Sequence, residues 1–178
     1  MDRESSGTSP SSRFKKSAMP MTHAGFMLSL FKSRTVFDPV LGELRRSGGA
    51  WRGRLSVGGA PAVALALPGD GNEPDPRAIE IVRELDERLP AWRADIAAAL
   101  LDHLEPYAAE AEPGNFSHIK TPEDMWPHAR LCHVNVFEQS GVLTLELGYG
   151  VDWDEDHTLG ARFQQGRLVE LNGSSGPL

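Results

Sequence analysis

The densest group of reactive side chains is the run Asp152-Trp153-Asp154-Glu155-Asp156-His157. Carboxylates at alternate positions, Asp152, Asp154 and Asp156, mimic the opening of a calcium loop, in which a hard cation collects oxygens from every second residue. The rest of that pattern is missing: counted from Asp152, the sixth place holds His157 where a glycine belongs, and the twelfth holds Phe163 where a glutamate belongs. A solvated hairpin loop is the simpler expectation, because aspartate favours turns by bonding to nearby backbone. Asp152, Asp154, Asp156 and His157 are the candidate metal ligands, with His118 or His128 brought in by folding. They would support a metal-binding protein or a metal-assisted hydrolase. His157 paired with Asp154 or Asp156 has the chemistry of a general base, but no feature of the sequence marks a group for it to activate.

The other reactive residues suggest less. His118, His128, His133 and His157 form no HxH or HExxH pair, and His128 and His133 are five apart, which aligns them on neither a strand nor a helix face. Cys132 adjoins His133, yet neighbours on a strand point to opposite faces, so adjacency makes no dyad. In the pattern Cys132, Val134, Val136 the thiol reads as a small core hydrophobe. GxSxG, GxGxxG and GxxxxGK[ST] are all absent from the sequence, which leaves the nucleophile elbow, dinucleotide fold and phosphate loop without support. No catalytic residue and no cofactor is expected.

Aromatic placement points elsewhere. Trp51, Trp92 and Phe163 fit core faces, whereas Trp126 and Trp153 stand beside acidic residues. A contact surface built from Trp126, Trp153, Asp154, Glu155 and Asp156 would combine aromatic area with acidic steering; the simpler expectation is that both tryptophan rings lean into the edge of the core.

The elements that must carry these residues follow from turn signals and periodicity. Asp38-Pro39, Ser47-Gly48-Gly49 and Gly58-Gly59 punctuate a three-stranded antiparallel meander, whose last strand, Ala62 to Leu67, is apolar on both faces and therefore central. Asp75 can cap a helix opened by Pro76, with Ala78, Ile81, Val82, Leu85 and Leu89 at helical spacing. After a second start or kink at Pro90, the stripe continues through Trp92, Ile96, Leu100, His103, Leu104 and Tyr107. Thr121-Pro122-Glu123-Asp124 has the form of another helix start. Ser140-Gly141 and Gln165-Gly166 then turn two hairpins, giving four more strands. The expected class is α+β: an antiparallel sheet of about seven short strands, three before and four after two central helices packed on one face.

At 178 residues with one cysteine, the chain can bury a core without disulfides, and a reducing, cytoplasmic compartment is expected. Residues 1–34 hold six basic and two acidic side chains, and the remainder 12 basic and 23 acidic, leaving the body at −11. Such a body repels phosphate backbones and anionic lipid, so no nucleic acid and no membrane is expected, and a protein with basic character is the better partner. Residues 1–33 read as a disordered Ser-rich basic tail, 34–173 as one domain and 174–178 as a frayed end. The apolar run from Phe26 to Phe31 is far short of a membrane span and lacks a cleavage pattern.

Phe37-Asp38-Pro39-Val40-Leu41-Gly42-Glu43-Leu44, then Trp51-Arg52-Gly53, and finally Trp153-Asp154-Glu155-Asp156-His157 with Phe163 and Gly166-Arg167-Leu168, resemble the opening and closing motifs of small bacterial cytosolic domains of unknown function. The resemblance covers roughly residues 36 to 172. It implies no activity, and in size and acidity such domains look similar to immunity proteins of toxin systems. The expected function is an acidic protein-interaction domain, immunity-like or regulatory. The alternatives are the metal reading above and a structural subunit that dimerises through edge strands.

Overall fold

Turn chemistry divides the chain into hairpins. In the computed structural model, which describes residues 34–59, 61–112 and 114–174, Gly48-Gly49, Ser140-Gly141 and Gln165-Gly166 have both residues at positive φ. This is the two-residue turn whose twist matches that of the strands it joins. These turns link β2 (Gly42–Ser47) to β3 (Ala50–Leu55), β5 (Ala129–Gln139) to β6 (Val142–Val151), and β7 (Asp154–Gln164) to β8 (Arg167–Gly173). The Asp38-Pro39 turn joins β1 (Thr35–Asp38) to β2, and β4 (Val63–Leu67) pairs antiparallel with β3.

The described strands form one sheet of eight in chain order, β1 to β8, where seven were expected. The additional strand is β1: Val36 and Phe37, which in sequence look only like a lead into the turn, pair with Leu44 and Glu43. The sheet is also mixed. β4 and β5 run parallel, with Ala64, Leu65 and Ala66 beside His133, Val134 and Asn135. All other pairings are antiparallel. A parallel neighbour cannot follow from a hairpin and needs a crossover, and here the crossover contains both helices. As expected, β4 is central, with Val63, Leu65, Ala66 and Leu67 buried.

The helices are α1 (Pro76–Arg83) and α2 (Leu85–Glu110). Asp75 caps α1 by accepting from the Arg77 N–H at 2.8 Å, with Pro76 at the first helical position. The break falls at Glu84, and Pro90 lies inside α2. Proline so near the start removes a bond only to the carbonyl of Asp86, in the first turn, so the helix continues through it. At 26 residues, α2 extends about 39 Å. It buries Leu85, Trp92, Ile96, Ala97, Leu100 and Leu104. Trp92 stacks on Phe163 of β7 with centroids 4.2 Å apart, and its indole N–H donates to the Gly166 carbonyl at 3.0 Å. The core thus lies between α2 and the sheet face carrying Leu65, Val134, Val136, Leu145, Leu147, Ala161 and Phe163.

Where β5 meets β6, the pairing slips between Leu131 and His133. The bulge leaves Cys132 as the extra residue, half-buried, with its thiol donating to the Arg130 carbonyl at 3.3 Å. The expected alternation of Cys132 with Val134 is therefore broken, and Leu131, opposite Tyr149, continues the core face instead.

The opposite sheet face carries a polar row, buried at Asn135 and Glu146 and half-buried at Arg162 and Glu170. Asn135 lies opposite Glu146, Glu146 opposite Arg162, and Arg162 opposite Glu170. The Arg162 Nε donates to Glu146 at 2.9 Å and its Nη1 to Glu170 at 2.8 Å. In the next row His133 lies over Gly148, where an added Cβ would sit 2.1 Å from the ring. Ser174 and Glu146 both approach the His133 Nε2, at 3.3 and 3.5 Å. A catalytic triad needs the carboxylate on the other ring nitrogen, so this serine, histidine and glutamate hold strands together and do not form one.

Asp38 fastens β1 and β2 to the helices. Its Oδ1 accepts from the N–H groups of Val40 and Leu41, both at 2.9 Å, and its Oδ2 from Arg83 of α1 at 2.7 Å. Burial alone would raise this carboxyl, but the two N–H donors and the guanidinium outweigh it and hold the group below its ordinary 3.8. The expected tail, 1–33, and residues 175–178 of the expected frayed end lie outside the described residues.

Two outcomes follow. Because the Asp38 pKa is depressed, its contribution is complete above pH 3.8 and fades as pH falls through the folded value. Asp38→Asn should lower the urea midpoint at neutral pH and flatten that acid limb, as followed by tryptophan fluorescence. Gly148→Ala should cost about 2 kcal/mol by overpacking against His133. Adding His133→Ala should return part of that loss, a non-additivity measurable by denaturation of the four variants.

Candidate functional site

The acidic run of the sequence folds into less loop than expected. Asp152 and Trp153 form a two-residue turn between Val151 and Asp154, and Asp154 to His157 already belong to β7. The pairing passes from Val151 opposite Asp154 to Gly150 opposite Thr158, so Glu155, Asp156 and His157 bulge out as unmatched residues at the end of the sheet.

The turn is held from two sides. On the α2 side, the Trp153 ring is buried, 7% exposed, and its indole N–H donates to the His103 Nδ1 at 3.2 Å. His103 stacks with Tyr107, and the Tyr107 hydroxyl donates to the Asp154 Oδ2 at 3.0 Å. The Asp154 Oδ1 faces the His157 Nδ1 at 2.8 Å and accepts the His157 backbone N–H at 3.2 Å. On the other side lies a 3-10 helix, Pro122–His128, where Asp124 accepts from the Thr121 N–H and hydroxyl at the helix start. At its far end the His128 carbonyl accepts the Asp152 N–H at 3.1 Å. The His128 Nδ1 lies 2.9 Å from the Asp152 Oδ2, and its Nε2 3.1 Å from the Nε2 of His118. Two relays therefore flank the turn, His118–His128–Asp152 and Tyr107–Asp154–His157. Between them is a cavity of about 360 Å³ lined by His128, Arg130, Asp152, Asp154, Glu155 and His157.

The electrostatics follow the geometry. Burial pushes the Asp154 carboxyl up, but the bonds from His157 and Tyr107 outweigh it and leave the group below its ordinary range. The same hydrogen bond and charge of Asp154 raise His157 above 6.5, and the Asp154 bond raises Tyr107. His103 is lowered by burial, with Asp154 opposing, which suits an Nδ1 that accepts from Trp153. Chemically, each relay can hold or pass a proton. Among the described residues no serine, threonine or cysteine bonds to His118, His128 or His157.

The sequence candidates separate into different roles. Asp152 turns to His128, while Asp154 turns to His157 and Tyr107. Asp156 and Glu155 are exposed in the bulge. Among the described residues, no three His, Cys, Asp or Glu side chains are placed to hold a metal ion. Trp153 faces inward and supports the turn. Trp126 is half-buried beneath the Arg93 guanidinium, 3.9 Å from its ring centroid. The exposed aromatic beside the acidic turn is Tyr107.

The family model for a domain of unknown function, DUF6985, matches residues 40–178. The chain belongs to that family. No curated protein and no solved structure matches it. No helix among the described residues of this DUF6985 domain is long and apolar enough to cross a membrane.

His103 and Tyr107, read as core stripe, are the site residues the sequence placed on the correct helix without their role. Their signal was the i, i+4 spacing that puts both on one face. His118 and His128 stand ten residues apart across turns, and no periodicity links them. In an NMR titration His157 should lose its proton at a pH above 6.5, and Asp154→Asn should bring that midpoint down. Because the folded value is raised, the His157–Asp154 link is complete below pH 6.5 and is lost as pH rises through the folded value.

Proposed function

We propose that the DUF6985 domain is a binding module whose acidic end face receives a cationic segment of a partner protein. The observation that carries this reading is the 3.0 Å bond from Tyr107 to Asp154. It joins two stretches that contain no lysine or arginine: residues 94–119 of the helix and following turns, and residues 152–157 of the turn and bulge. Glu110 acts electrostatically on Tyr107 from the helix side, while Asp152, Glu155 and Asp156 are exposed on the sheet side. Tyr107, 37% exposed, supplies apolar area among these carboxylates, an arrangement that suits an aromatic anchor ringed by steering charge. Trp153 acts from beneath by fixing the turn. A neutralising or regulatory role of immunity type is one form of this reading, in which the domain covers a cationic surface of its partner.

Titration of ¹⁵N-labelled protein with a lysine-rich peptide tests it. Shifts are expected at Tyr107, Glu110, Glu155 and Asp156, with affinity falling about tenfold when salt rises from low to moderate ionic strength. The triple variant Glu110→Gln, Glu155→Gln, Asp156→Asn should lose the response while keeping its melting temperature. No peptide response, together with a dimer in light scattering that the triple variant leaves intact, would overturn the proposal in favour of assembly through the edge strands β1 or β8.

A further inference from the structure

The two imidazoles beside the turn face each other through their Nε2 atoms at 3.1 Å. One explanation is a hydrogen bond between neutral rings. Another is a shared cation: two nitrogens each roughly 2.0–2.1 Å from a tetrahedral zinc ion stand about 3.3 Å apart. The ring planes are inclined by 58° with centroids 5.0 Å apart, so the rings meet through their nitrogens and are not stacked face to face.

What favours the cation is the support behind His128. Its Nδ1 is 2.9 Å from the Asp152 carboxylate, and its carbonyl accepts the Asp152 N–H. Ring and carboxylate are thus fixed to each other through side chain and backbone. A carboxylate on the far nitrogen is the recurrent outer partner of metal-ligating histidine, setting the tautomer and raising ligand basicity.

We propose that His118 and His128 are the protein ligands of a divalent transition-metal site, with Asp152 orienting His128 and water filling the remaining positions. Two side-chain ligands leave an open site. Imidazole donors favour copper, then zinc and nickel, and exclude calcium and magnesium, which need a set of oxygens. The ligand set differs from the one read in sequence: Asp152 becomes a support, Asp154 and His157 engage each other, and Asp156 takes no part. This site stands independently of the acidic-face reading.

Calorimetric titration of the full chain with ZnCl₂ and, separately, CaCl₂ tests it. One zinc per chain and no calcium response are expected. His118→Ala and His128→Ala should each abolish zinc binding, Asp152→Asn should weaken it 10- to 100-fold, and His157→Ala should leave it unchanged. Zinc should also shift the Nε2 resonances of His118 and His128, and not those of His157, in the wild-type imidazole spectrum, a readout that needs no variant to fold. No zinc uptake, uptake that survives both alanine variants, or shifts confined to other histidines would overturn the proposal.

Discussion

The parallel contact between β4 and β5 is the constraint on which the rest of the domain depends. β4 leaves the sheet at Leu67 and β5 enters at Ala129 running the same way, so the intervening chain must travel back along the sheet before pairing can resume. α1 and α2 make that return. Because the crossover lies on one face, it commits Leu65, Val134, Leu147 and Ala161 to the core and leaves the alternate residues to the other face. The length of α2 then matters: its first third packs on β7 through Trp92 and Phe163, and its last turns reach the β6–β7 turn through His103 and Tyr107.

The polar face shows how register is held where apolar packing does not set it. Glu146 is fully buried, with Arg162 bonding to it from the next strand, and Arg162 bonds on to Glu170. Buried ion pairs add little net stability after desolvation, but a mismatched one is costly, so a slip of one residue would strand these charges. Gly148 and Gly160 allow the arrangement, since a Cβ at either would collide with His133 or Glu146. The two glycines face each other across β6 and β7.

At the end of the sheet the acidic run is pinned as a tight turn and bulge instead of a loose loop. Trp153 is the buried peg, Asp154 the joint between helix and strand, and Glu155 and Asp156 the charges left outside. The imidazoles lie on either side of this joint, one relay facing the helix and the other the 3-10 turn. The arrangement holds the Asp152 and Asp154 carboxylates against the ring nitrogens of His128 and His157.

The amino-acid sequence alone determined what is local. The glycine turns, the Asp75 cap before Pro76, the two consecutive helices and the clustering of acid at 152–156 were all legible, because each depends on residues within a few positions of one another. Tertiary structure decided what joins distant segments. It added β1 as an eighth strand, turned β4 and β5 parallel, and displaced Cys132 from the core by a bulge. It also brought Tyr107 to Asp154 and His118 to His128. None of these leaves a periodic trace, because strand partners and side-chain pairs are selected by which surfaces the folded chain brings together, and composition carries no record of that choice.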